Sequence, residues 1–139
     1  MNSQYKYIGI FFENLFSDPR VKQLGGGKLY RRIEDHHVTF AYRPKEADES
    51  LFGEKVRVRV IGYGCDGENE GLKVVVLSEH SKLQHMADEI AVPHITLSVG
   101  EGGESVNTYR IPFEPVEPFE LEGIFGGYTL SGEKVLDHN

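Results

Sequence analysis

A chain of 139 residues fits one compact domain and leaves little room for a second. With 39% hydrophobic and 27% charged residues its composition is that of an ordinary soluble globular protein, and a single cysteine, Cys65, excludes an intrachain disulfide and a multi-cysteine metal site. The formal charge of −7 argues against sequence-blind binding of long nucleic acid, because a polyanion is repelled unless the basic residues gather on one face.

Tyr5–Phe12 (YKYIGIFF) is β-branched and aromatic and predicts a strand. The longest apolar run near the start, Tyr7–Phe12, is too short for a signal-peptide core or a bilayer span, so the expected location is cytoplasmic. Pro19 opens a short predicted helix that Gly25–Gly27 ends. His36–Tyr42 (HHVTFAY) reads as a second strand, and the charged stretch from Arg43 to Gly53 as a loop with at most one helical turn. In Lys55–Tyr63 the alternation sets Val56, Val58 and Val60 on one face and Arg57 and Arg59 on the other. CDGENEG is a turn, GLKVVVLSE the returning strand, and the two form a hairpin. Ser81–Ala91 carries a weak helical pattern. Val92–Val99 (VPHITLSV) is another strand, broken by EGGES. The proline-rich IPFEPVEP is extended and unpaired in places. Phe119–Leu130 is the final long strand, and an SGEK turn leads to Val135 and Leu136. The 16 glycines suit a turn-rich β structure better than a helix bundle.

One strand motif recurs, HVTF at 37–40 and HITL at 94–97, with the two histidines 57 positions apart. One copy lies in each half of the chain, as two similar lobes facing each other would require. On a strand, side chains two apart share a face. His37 and Thr39 therefore project together, as do His94 and Thr96, while Val38, Phe40, Ile95 and Leu97 turn toward a core. Hydrolysis of a phosphodiester needs a base for the nucleophile and an acid for the leaving oxygen. Histidine serves either role because its ordinary pKa is about 6.5. Threonine hydroxyls donate to the non-bridging phosphate oxygens, and a protonated histidine adds a charge-assisted bond. The arrangement requires no metal and no cofactor. Either histidine can be the base, with the other as acid.

These two H-x-T strands, HVT at 37–39 and HIT at 94–96, resemble the signature of the 2H phosphoesterase superfamily. With YIGIFF, HHVTFAY and PHITLSVGEGGES before a proline-rich stretch, the chain looks most similar to the cyclic phosphodiesterase domains of plant and fungal tRNA ligases. The likeness spans nearly the whole chain, specific at the two motifs and loose between them. It implies a single α+β domain over residues 1–139, bilobal, with two mainly antiparallel sheets, pseudo-twofold symmetry, a central cleft and few short helices. It also implies metal-independent opening of 2′,3′-cyclic phosphates on RNA ends or small nucleotides. The segments before HHVT and PHIT are poor in helix, a departure that bears on substrate range.

Other residues join the site as expectations. Residues 1–43 hold seven lysines and arginines against four acids, and the remainder eight against eighteen. Phosphate contacts are therefore expected from Lys28 and Arg43, with Arg31 and Arg32 nearby. Ser98 follows Thr96 on the same strand face. Ser105 and Asn107 lie in the loop that approaches substrate in the similar tRNA-ligase domains. Tyr128, flanked by glycines, offers a ring for a base to stack on. His36 points away from His37. His80 and His85 are five apart, an unconvincing metal spacing. Gly25–Gly27 before Lys28 fails the P-loop pattern, since Lys22 and Leu29 stand where glycine and Ser or Thr are needed. The competing function is a non-catalytic module of the same fold that binds a nucleotide or RNA end without turnover. A metal hydrolase using the extra histidines is the third.

Overall fold

The fold is known from a computed structural model that describes residues 4–25, 31–32, 36–101 and 103–137, with the backbone alone at 31, 32, 105 and 106. Eight strands alternate with short helices: β1 (Tyr5–Phe12), α1 (Pro19–Gln23), β2 (Arg31–Arg32), β3 (His36–Tyr42), β4 (Lys55–Cys65), β5 (Asn69–Leu77), α2 (Ser81–Asp88), β6 (His94–Val99), β7 (Glu114–Thr129) and β8 (Lys134–Val135). Short 3-10 helices occupy Leu15–Ser17, Glu49–Leu51 and Ser105–Arg110. Among the described residues, no helix is long and apolar enough to cross a membrane.

Local chemistry accounts for most of these elements. In β4, Val56, Val58 and Val60 are buried while Arg57 and Arg59 both donate to Glu120 on β7 at 3.1 Å. The β4–β5 turn closes where Asp66 accepts from the backbone N–H of Glu68 and Asn69, with Gly67 at φ 92°. Asp18 caps α1 by accepting from the Arg20 N–H at 2.8 Å, Pro19 fills the first helical position, and Gly25 at φ 97° follows the helix end. The weak pattern over 81–91 does form α2, which buries Leu83 and Ala87.

The strands run in the order β2-β6-β5-β4-β7-β1-β3, each pair antiparallel, with β8 on the margin of β7. They make one hydrogen-bonded sheet, where the sequence led us to expect two. The cause is the length of β7. Its residues 114–124 pair with β4 along one edge, and residues 124–129 pair with β1 along the other. The proline-rich stretch expected to be partly unpaired belongs to this strand from Glu114 onward. Nothing in the sequence reading anticipated β2, whose two residues pair with Val99 and Ser98. The sheet curls until β3 and β6 come into contact with no ladder between them among the described residues, so it is nearly closed. The core fills its inside, from Ile8 and Ile10 through Val58 and Val60 to Ile95 and Leu97.

Candidate active site

The open seam between β3 and β6 forms a cleft of about 260 Å³. His37 and Thr39 line it from β3, and His94 and Thr96 from β6. Ile90, Ala91 and Val92 close one side, and the half-exposed rings of Tyr42 and Tyr109 flank its mouth. The four residues expected to act together thus meet in one place, although the two histidines are far apart in the chain.

The two motifs are built alike. Thr39 pairs with Gly9 of β1, and the register then slips so that Ala41 pairs with Ile8, leaving Phe40 as an extra residue. Thr96 pairs with Gly71 of β5, and the register slips so that Ser98 pairs with Glu70, leaving Leu97 as the extra residue. Each motif therefore stands just before a β-bulge and opposite a glycine. Each glycine makes room for the carbonyl inside the motif. A methyl on Gly9 would stand 2.0 Å from the Val38 oxygen, and one on Gly71 would stand 2.9 Å from the Ile95 oxygen.

His94 is fixed by the bend that leads into β6. Its Nδ1 lies 2.7 Å from the Val92 carbonyl oxygen. A carbonyl can only accept, so Nδ1 carries the proton and the neutral ring keeps its lone pair on Nε2. Desolvation by burial pushes the His94 pKa below its ordinary value, and the Val92 bond only partly opposes this. Between the lowered folded pKa and the unfolded value near 6.5, the unfolded chain binds more protons than the folded one. Stability is thus expected to fall as the pH drops below about 6.5. Thermal melts of wild type and His94→Gln across that window check this, and equal pH dependence in the two would contradict it.

His37 is held by stacking. Its ring lies on Tyr7 at 4.4 Å between centroids and 20° between planes. Tyr7 in turn stacks on Tyr128 at 5.2 Å and 8°. The π face of a tyrosine attracts a cation lying over it, so this column suits a protonated imidazole.

Thr96 sits in a buried polar chain. Its Oγ1 is 2.6 Å from Oγ1 of Thr108, which accepts from Asn69 Nδ2 at 3.0 Å. Asn69 also donates to the Glu104 carbonyl at 2.7 Å. Neither Thr108 nor Asn69 was singled out from the sequence, because both contacts join segments distant in the chain.

The remaining expected residues lie elsewhere. The bulge at Leu97 breaks the alternation, and the fully buried Ser98 donates to Glu70 at 2.6 Å instead of sharing the face of Thr96 toward the cleft. Glu70 also accepts from the Tyr63 hydroxyl. Tyr128 stacks on Tyr7, which stacks in turn on His37. Arg43 is exposed beyond β3, at φ 43°, and Asn107 lies in the 3-10 helix over Ser105–Arg110; neither lines the cleft. The Ser105 side chain and all of Lys28 and His138 fall outside the described residues. His36 is buried edge-on to Phe16, His80 precedes α2, and His85 faces Glu89 on its surface. Among the described residues, no three of His, Cys, Asp and Glu converge as a metal would require. Residues missed at sequence level include Tyr7, Tyr109 and Val92; the ring of Tyr7, one strand away from His37, is legible only once register is known.

Compared with known protein families and with curated proteins, the chain finds no match.

Proposed function

We propose that this protein is a metal-independent 2H-type phosphodiesterase that opens 2′,3′-cyclic phosphates on RNA ends or small nucleotides. One observation carries the reading. Two H-x-T strands, each before a bulge and opposite a glycine, face one cleft from opposite walls. That correspondence also supports the finer reading of the fold as two related halves about a pseudo-twofold axis, one holding β1 and β3 and the other β4, β5 and β6, with β7 shared.

In the reaction, His94 is the base and His37 the acid. Nε2 of His94 takes a proton from water as the water oxygen bonds to phosphorus. The bond from phosphorus to one ribose oxygen breaks, and His37 gives that oxygen its proton. Thr39 and Thr96 donate to the non-bridging oxygens, where charge grows as the fifth bond forms. The exposed rings of Tyr42 and Tyr109 leave a base or sugar room at the mouth. A cleft of this size takes one phosphate and its ribose, in keeping with a short or small substrate for an acidic chain.

Two measurements test this. Hydrolysis of a 2′,3′-cyclic nucleotide is expected to proceed undiminished in excess chelator; no turnover, or turnover abolished by the chelator, sinks the proposal. The pH–rate profile is expected to be bell-shaped. Because the His94 pKa is lowered, its acid limb falls below the ordinary histidine value of about 6.5. An acid limb above that value removes His94 as the base.

A further inference from the structure

We propose that a second groove beside the cleft, headed by Lys73, is the subsite for the nucleotide that precedes the cyclic phosphate, so that the substrate is an RNA end and not a mononucleotide. The inference rests on the phosphodiesterase reading and deepens it by naming the substrate class.

The groove is lined by β5 and α2 and holds about 270 Å³, close to the 260 Å³ of the catalytic cleft. The two are neighbours. Ile90 lines both, and the adjacent residues Pro93 and His94 line one each. Lys73 ties them together. It pairs with His94 across the β5–β6 ladder, and the next pair, Leu72 with Ile95, is fully buried in the core. Directly paired residues share a face, with Cβ atoms about 5 Å apart, so Lys73 and His94 both point away from the core. The Lys73 side chain lines the groove while that of His94 lines the cleft.

This lining suits a nucleotide. Arg57 and Arg59 on β4 spend their charge on Glu120, whereas the Lys73 side chain has no ion pair or hydrogen bond among the described residues. Its ammonium, on a flexible four-carbon stem, reaches a phosphate one nucleotide away from the one that His94 serves. Ile61, Val75, Ile90 and Pro93 add apolar surface for a base or sugar, and Val75 is 42% exposed although it stands on a strand. The carboxylate in the groove, Asp88, comes from α2 and accepts from Gln84 Nε2 at 2.9 Å. It keeps lone pairs for the amino group of a base. A mononucleotide fills the cleft alone, and a dinucleotide fills cleft and groove together.

The test uses the full chain with Lys73→Ala and Lys73→Arg. The substrates are adenosine 2′,3′-cyclic phosphate and adenylyl-adenosine ending in the same cyclic phosphate. Wild type is expected to favour the dinucleotide at least about tenfold in kcat/KM, the worth of one charge-assisted contact. Lys73→Ala is expected to abolish that preference, chiefly through KM, and Lys73→Arg to keep it. A dinucleotide whose internal phosphate is replaced by an uncharged methylphosphonate probes the same contact with the protein unchanged, and wild type is expected to lose the preference on it. Equal kcat/KM on the two substrates in wild type overturns the subsite, as does a preference that survives Lys73→Ala or the methylphosphonate. Should Lys73→Ala not fold, as judged by circular dichroism, the methylphosphonate decides alone. A wild type inactive on both cyclic phosphates sinks the phosphodiesterase reading itself. Titration with adenylyl-adenosine then decides the subsite, where weaker binding by Lys73→Ala supports it and unchanged or absent binding overturns it.

Discussion

Alanine in place of either His37 or His94 is expected to lower kcat for a 2′,3′-cyclic nucleotide at least about a hundredfold, since each change removes a proton-transfer group. Both side chains line the cleft without carrying its core, so both variants are expected to melt near the wild type. The double variant is expected to be no slower than the worse single, because a base without its acid, or the reverse, has already lost the concerted step. The two losses differ in one respect. An activated nitrophenyl phosphodiester has a leaving oxygen that needs no proton. It is expected to rescue His37→Ala and not His94→Ala if His94 is the base, as the Val92 bond to its Nδ1 argues. Rescue of His94→Ala alone reverses the assignment. Full activity in either single variant on the cyclic nucleotide removes the mechanism.

What the sequence revealed of this site, and what it hid, divides along the range of the interactions. Alternation in KVRVRVIGY and the paired H-x-T triplets depend on residues two apart, so strands, faces and the four cleft residues were legible. The helix after Pro19 was legible for the same reason, from its proline and the glycines that follow it. Ser98 was assigned to the cleft face because strict alternation puts it there. A single extra residue, Leu97, turns it to Glu70, and a bulge leaves no mark on its own strand. The expected pair of sheets fails in a similar way. Whether β7 changes partner at Ile124 depends on β1 and β4, which are many residues away. Thr108 and Asn69 come together across the turn of one hairpin and a 3-10 helix, a meeting that spacing does not encode. One signal was present and unread. Gly9 in YIGIFF and Gly71 in NEGLKV each stand inside a strand, and an isolated strand glycine points to a bulge or a close backbone approach.

Those two glycines carry the second large expectation. Gly9→Ala is expected to cost at least about 3 kcal/mol, at the upper end of overpacking, because the new methyl meets a backbone oxygen at 2.0 Å and no side chain can swing aside. For a domain of this size that corresponds to a fall in Tm of roughly 10 °C. Relief requires β3 to move off β1, which carries His37 away from the Tyr7 ring and out of the cleft. Gly71→Ala is expected to be milder, about 1–3 kcal/mol. Its closest clash is with the methyl of Thr108 at 2.5 Å, and the Ile95 oxygen is the next nearest at 2.9 Å. The Thr108 segment is short and can retreat, whereas β3 is bound along its length to β1. Gly71→Ala therefore costs the fold less and acts mainly on the site, by withdrawing Thr108 from Thr96. Gly9→Ala harms both. Thermal melts and cyclic-nucleotide hydrolysis on the two variants separate these outcomes. If both melt with the wild type, the glycines are not what holds the two motifs in register. If Gly71→Ala melts like the wild type and also turns over like it, the contact of Thr108 with Thr96 has no part in the chemistry.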